Sequence, residues 1–355
     1  MFADPTFLMF FLGPPVAAEL ILLMAIFRCT RGKGKKAGWG LILLVNVLSC
    51  FVLVLFAGLG GELFYRYVYD TTDALAYTKV SQQWFQRYFV YNKAGARDNV
   101  EYLTRLVPGT RRISFLGDSF TAGHGIKNVE DRFANLIRAS HSDWDVHALA
   151  VAGNDTDMEA DMISGLQKKG YQFDFVVLVY CLNDISDLVP EWQKSLGEVY
   201  ADTKRGGWLR QHSFFVDIVY HRYKAAHDPR VGQYYTFVRD GYRGPVWETQ
   251  KLQLKGIRDF VEANGGHFAV VTFPFLQLEG PNYDFQFVHD QLNQFWKALG
   301  VPHLDLQPVF AGEKPEKITV NRFDAHPNEY ANGLAAKKID QFLTELIAKT
   351  PPKKQ

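Results

Sequence analysis

Arg111-Arg112-Ile113-Ser114-Phe115-Leu116-Gly117-Asp118-Ser119-Phe120-Thr121-Ala122-Gly123-His124-Gly125 is the stretch around which the chain is read. Ile113 to Leu116 is a short apolar run between turn residues, the pattern of a buried strand. The run breaks at Gly117, and a serine follows two residues later. A serine between a strand end and a helix start stands at the carboxyl edge of a sheet. There the first turn of the helix also supplies unpaired backbone N–H groups. Asp118 or Ser119 would serve equally as an N-cap, so the tripeptide alone decides nothing.

Outward from this point the chain alternates strands with helices. A helical stretch at 131–140 is followed by a strand at 145–151 and a helix near 156–169. Asp174–Tyr180 is almost entirely apolar, as a central parallel strand should be. Residues 182–244 show no clear strand. A helix at 245–264, a strand at 267–273, a helix at 287–299, a short strand at 303–306 and a last helix from about 328 to 349 complete the series. Alternation of this kind predicts an α/β fold, a parallel sheet with helices on both faces.

Ligands of such folds sit at the carboxyl ends of the strands. Val151-Ala152-Gly153-Asn154-Asp155 follows the second strand, and Cys181-Leu182-Asn183-Asp184 follows the third. Phe323-Asp324-Ala325-His326-Pro327-Asn328 reads as a loop just before the last helix. Each has an ordinary explanation, as a turn glycine, a cap or a helix-entry loop. Their joint placement, where side chains converge on Ser119, is what raises the serine above a cap.

In Gly117-Asp118-Ser119, Gly153, Asn183 and Asp324-x-His326-Pro327, taken in order, residues 111–350 resemble the SGNH/GDSL hydrolase family. Gly-Asp-Ser-Phe-Thr-Ala-Gly-His-Gly resembles the first motif of its membrane-anchored bacterial members. The chain departs from the usual pattern twice: Cys181 stands where a glycine is usual, and the acid is two rather than three residues before the histidine. The resemblance implies a flavodoxin-like sheet, the SGNH hydrolase fold, with no cofactor and no metal.

It also implies roles. Ser119 would be the nucleophile, a poor one without an adjacent base. His326 would be that base and then the acid that protonates the leaving alcohol. Asp324 would hold the imidazole tautomer; in an extended segment, residues two apart point to the same side. The oxyanion would be met by the backbone N–H groups of Ser119 and Gly153 and by the Asn183 amide. Asp118 and Asp184 would brace the loops, and His124 would contact substrate or, as the ordinary reading has it, be a solvated loop histidine.

The N-terminal part is of another kind. Residues 7–27 contain one charge and residues 39–60 none, and each is long enough to cross a hydrocarbon core as a helix. A cleaved signal peptide fits the first poorly, because its basic residues follow the apolar run instead of preceding it. Arg28, Arg31, Lys33, Lys35 and Lys36 crowd the intervening loop, 28–38, without an acid. Short loops this basic stay in the cytoplasm. The expectation is therefore a two-span hairpin over residues 1–60 in the inner membrane, with the domain at 111–350 on the periplasmic side. Residues 61–110, rich in aromatics, would be a connector packed on that domain.

The chain has 39 basic and 38 acidic residues, a net charge of +1 that gives no reason to expect nucleic acid as a partner. Cys29 and Cys50 lie in the N-terminal apolar region, which leaves Cys181 alone in the remainder, so no disulfide framework is possible there and no zinc-type Cys pair exists. Two function classes stay open. One is an enzyme: a serine esterase, or an O-acyltransferase using the same acyl-enzyme, with an ester-bearing cell-envelope glycan or lipid as substrate and the lipid bilayer as its support. The other is a catalytically inactive glycan-binding module on the same fold. The complete Ser, Gly, Asn, Asp and His set favours the enzyme. Leu182–Gly244, dense in aromatics, would be a substrate lid or ordinary core.

Overall fold

A computed structural model describes residues 7–31, 38–204 and 206–350, so Lys33, Lys35 and Lys36 of the basic loop lie outside the described residues. The chain forms two compact units. One comprises the residues up to Asp70 with Tyr77–Gln82 and Asp202–His227; the other comprises Thr71–Ala76, Gln83–Ala201 and the chain from Asp228 onward.

The first unit holds the two long apolar helices, Leu8–Arg28 and Trp39–Val68, with mean hydropathies of 2.1 and 2.7. Both are long and apolar enough to cross a membrane, and most of their side chains are not buried in the protein. The polar side chains within the second helix turn back on the backbone: Asn46 Nδ2 donates to Ile42 O at 3.0 Å and Ser49 Oγ to Val45 O at 2.8 Å. Such bonds satisfy a polar group that hydrocarbon would leave unpaired. Near the end of this helix, buried Glu62 accepts from Ser213 Oγ at 2.7 Å and pairs with Arg66 at 2.8 Å.

The second unit is built on a parallel sheet of five strands, β1 (Arg111–Gly117), β2 (Trp144–Ala150), β3 (Phe175–Cys181), β4 (His267–Phe273) and β5 (His303–Asp305), in the order β2-β1-β3-β4-β5. This is the flavodoxin-like order anticipated above. Every residue of β3 is buried, because successive side chains enter opposite layers. Val176, Leu178 and Tyr180 pack with helices Thr156–Lys168, Val246–Ala263 and Gln286–Ala298. Phe175, Val177, Val179 and Cys181 pack with helices Phe133–Ser140 and Glu329–Ala348. Burying one such aliphatic side chain contributes about 1.5–3 kcal/mol, which is why a strand between two layers tolerates no polar residue.

The chain leaves β1 for β2 on one side and returns to β3 on the other, so β1 and β3 flank the point where strand order reverses. The crevice outside their carboxyl ends is where open α/β sheets bind ligands. Two features differ from the sequence reading. The described residues of 182–244 contain no strand, but they are chiefly helical, with helices Pro190–Lys204, Trp208–His212, Phe214–His227, Pro229–Gly232 and Tyr234–Arg243. The segment before the last helix is not a plain loop. Its residues Asp324–Pro327 form β7, which pairs antiparallel with β6 (Thr319–Asn321) across an irregular register.

Candidate active site

β1 ends at Gly117, where a β-carbon would stand 2.4 Å from Thr121 Oγ1 and 3.1 Å from Val179 O. A β-carbon would force the Thr121 side chain aside and crowd the β3 backbone, so glycine fits here without either moving. Asp118 then caps a single helical turn, Ser119–Ala122, its Oδ1 accepting from Phe120 N at 2.9 Å. The turn closes at left-handed Gly123, φ 74°. Arg97 holds the loop that follows: its guanidinium donates to Ala122 O at 3.1 Å, Gly123 O at 2.5 Å and Ile126 O at 2.5 Å. Burial and the nearby Arg132 charge bring the Arg97 pKa down to about 9.

From the other end of the chain, β7 brings Asp324 and His326 to the same place. Residues two apart on this strand face the same way, and Asp324 Oδ1 accepts from His326 Nδ1 at 2.5 Å and from His326 N at 3.1 Å. His326 Nε2 faces Ser119 Oγ at 2.7 Å. With Nδ1 donating to the carboxylate, Nε2 of a neutral ring is left as the acceptor for the Ser119 hydroxyl. Ser119 is half-buried, whereas Asp324 is 1% and His326 7% exposed. Burial pushes the Asp324 carboxyl up, but the neighbouring His124 and His326, with their N–H donors, outweigh it and hold the pKa well below the ordinary 3.8. Asp324 is therefore the ionised, acceptor-only member of the chain of bonds.

Asp324 is not the cap of the last helix. Asn328 is: its Oδ1 accepts from Ala331 N at 3.0 Å. The other oxygen of Asp324, Oδ2, accepts from the Thr72 hydroxyl and lies 3.3 Å from His124 Nε2. His124 is not a solvated loop residue. It is 3% exposed, and its ring stacks on His326 with centroids 3.9 Å apart. Tight turns at Gly123 and Gly125 (φ 88°) fold it back, with His124 N donating to Ser119 O at 2.9 Å. Burial, and then the charge that His326 carries when protonated, lower its pKa, which favours the neutral ring. The flanking glycines were the only sequence signal for this placement; Thr72 had none.

Of the other expected site residues, Asn183 follows β3, and its Nδ2 donates to Asp118 Oδ2 at 3.4 Å. Cys181 Sγ donates to Asp118 Oδ1 at 3.4 Å. Asp118 thus ties the Ser119 turn to the end of β3. Burial pushes its carboxyl up despite these donors. Gly153 lies three residues past β2, which pairs with β1 so that Ala150 is opposite Gly117. Its φ of 89° requires glycine, and a β-carbon there would meet open space. Asp184 is buried, and its oxygens accept no hydrogen bond among the described residues, so it braces no loop in this way. Burial together with the Glu159 and Asp118 charges raises its pKa well above 3.8.

His124, Asp324 and His326 offer three ligand atoms within 4.8 Å of one another. Two ligands around a cation at about 2.0–2.2 Å would stand roughly 3 Å or more apart. His326 Nδ1 and Asp324 Oδ1 are 2.5 Å apart, which is a hydrogen bond.

No family model matches the chain, and no curated protein matches it. Several solved structures resemble it. A member of the lipolytic protein G-D-S-L family from Veillonella parvula is 14% identical with a TM-score of 0.42, covering 66% of this chain and 98% of its own. An extracellular lipase from Streptomyces rimosus gives 14%, 0.42, 66% and 99%. The psychrotrophic esterase EstA from Pseudoalteromonas sp., inhibited by monoethylphosphonate, gives 14%, 0.40, 67% and 100%. At these TM-scores the likenesses add no weight to the role of any residue.

Proposed function

We propose that this chain is a membrane-anchored serine ester hydrolase of the SGNH/GDSL type, with Ser119, His326 and Asp324 as its catalytic triad. The observation that carries the reading is the continuous run of bonds from Ser119 Oγ through His326, 2.7 Å and then 2.5 Å, to a buried ionised carboxylate. A serine and a histidine side by side at a strand end are common; this alignment, with the correct tautomer fixed by an acceptor-only group, is what general-base activation needs.

Ser119 Oγ attacks the ester carbonyl carbon as its proton passes to His326 Nε2. The imidazolium that forms is stabilised by Asp324. The carbonyl oxygen becomes an oxyanion, met by the backbone N–H groups of Ser119 and Gly153 and by the Asn183 amide; removing one such donor typically costs about 3–4 kcal/mol in the barrier. Collapse of this intermediate breaks the ester C–O bond, and His326 returns its proton to the leaving alcohol. Water, deprotonated by His326, then attacks the acyl carbon; the bond to Ser119 Oγ breaks, and His326 returns the proton to Oγ as the acid leaves.

The two apolar helices span the inner membrane, and the basic loop between them holds their connection in the cytoplasm. The sheet unit then faces the periplasm, where ester-bearing glycans and lipids of the envelope are within its reach. Hydrolysis of a short-chain aryl ester by the full chain tests the reading. Wild type turns over, and Ser119→Ala loses activity to background while its melting temperature is kept. Wild-type turnover by a folded Ser119→Ala variant would reject the assignment.

A further inference from the structure

Asp324 has two oxygens, and only Oδ1 serves His326. What fixes Oδ2 decides whether the carboxylate can turn away. Two donors meet it: the Thr72 hydroxyl and His124 Nε2, the latter at 3.3 Å. His124 divides its single Nε2 proton between Asp324 and Asp73 O, which lies 3.1 Å away. The Thr72 hydroxyl is the undivided donor. Thr72 is 3% exposed and 252 positions before Asp324 in the chain.

The backbone around Thr72 is fastened to the β6–β7 hairpin. Asn321 Nδ2 donates to Thr71 Oγ1 at 2.9 Å and to Thr72 O at 3.0 Å. Ala74 N donates to Phe323 O at 2.9 Å. Residues 71–74 therefore lie as a strap along the hairpin that carries Asp324 and His326. Just beyond it stands Ala76 with φ 54°, the one non-glycine residue with positive φ among the described residues. A conformation of this kind persists only where its surroundings impose it. The second long apolar helix ends at Val68, so the strap is the first part of the sheet unit that the chain reaches after that helix.

We infer that Thr72 is a positioning residue for the proposed reaction: its hydroxyl locks Oδ2 of Asp324 so that Oδ1 stays aligned with His326 Nδ1. It touches no reacting atom and acts through Asp324 alone. This inference rests on the triad reading above.

The test uses the full chain and a short-chain aryl ester. Thr72→Val replaces the hydroxyl with a methyl group of similar size. The strap remains tied through Asn321 and Ala74, but Oδ2 loses its main donor. Loss of a hydrogen bond to a buried charge predicts a fall in kcat of about tenfold to a hundredfold. KM should stay within about twofold, since Thr72 makes no substrate contact. Thr72→Ser keeps the hydroxyl and should restore kcat to within a few-fold of wild type. In an Asp324→Asn background, Thr72→Val should cost less than about threefold, because the charge through which it acts is gone.

If Thr72→Val does not fold, Thr72→Cys, with its weak donor, replaces it and should show the same fall in kcat with a near-normal melting temperature. Wild-type kcat in a folded Thr72→Val or Thr72→Cys variant would overturn the inference. So would an equal loss in the wild-type and Asp324→Asn backgrounds, or failure of Thr72→Ser to restore kcat. Ser119→Ala run alongside separates the two levels. If it is inactive while Thr72→Val is normal, only the role of Thr72 fails; if it keeps wild-type turnover, the triad itself fails and this inference with it.

Discussion

Replacing Asp324 with asparagine removes one charge and almost no volume, and the surroundings of this side chain make the result readable. All four of its hydrogen-bond neighbours are donors: His326 Nδ1 and N at Oδ1, and Thr72 Oγ1 and His124 Nε2 at Oδ2. An asparagine amide must point its NH₂ group at one of these pairs. Turned toward His326, it forces Nδ1 to become an acceptor and moves the ring proton to Nε2, so the ring no longer accepts from Ser119. Turned toward Oδ2, it keeps the tautomer but sets N–H against His124 N–H, and the imidazolium still loses its counter-charge. Two unit charges about 4 Å apart attract by about 4 kcal/mol at an effective dielectric constant of 20. Turnover should therefore fall about a thousandfold, or about 10⁴-fold where the wrong tautomer adds to the loss, as measured for the corresponding change in a serine protease. Single-turnover acylation with an aryl ester reports the loss, and a melting curve confirms that the fold is kept. Acylation within a few-fold of wild type in a folded Asp324→Asn protein would refute the triad and leave a Ser–His dyad.

Two further outcomes follow from other parts of the chain. Glu279 is 6% exposed, and burial with the Asp305 charge raises its pKa from the ordinary 4.5 to about 7. The folded state then binds this proton more tightly than the unfolded chain does, so stability falls as pH rises from about 4.5 to about 7, by up to about 3 kcal/mol. Glu279→Gln should be more stable than wild type at pH 8 by up to that amount and equal to it at pH 4; denaturation curves across this range that are parallel for the two proteins would contradict the origin of the shift. A reporter enzyme active only in the periplasm, fused after residue 355, should be active if the basic loop is cytoplasmic, and activity of a cytoplasm-only reporter instead would reverse the orientation.

The parallel sheet was legible because its strands are short apolar runs between turn residues, and β3 carries the clearest signal, being buried on both faces. Ser119 was legible from its position two residues past a strand end. Asp324 and His326 were legible as chemistry but not as structure. Their strand is four residues long and pairs with one of three, too short for any periodicity to show. Residues 182–244 read as irregular because Gly206, Gly207, Pro229 and Gly232 cut their helices into short lengths, and many of their aromatics pack inward. Tyr242, for example, joins the layer formed by Leu178 and Tyr180, and Tyr234 and Tyr235 pack against it. Thr72 was invisible because a lone threonine in a connector carries no pattern; only the tertiary fold brings it to Asp324. Loop position is a poor guide to the exposure of His124, because two left-handed glycines return it to the interior.

The central claim is that Ser119 is an activated nucleophile, and covalent trapping tests it most directly. A fluorophosphonate probe should add once to the full chain, and peptide mapping should place the adduct on Ser119. Ser119→Ala should take up none, and His326→Ala should react far more slowly, because the serine then has no base. An adduct on another residue, or ester turnover by a chain that the probe never labels, would contradict the account.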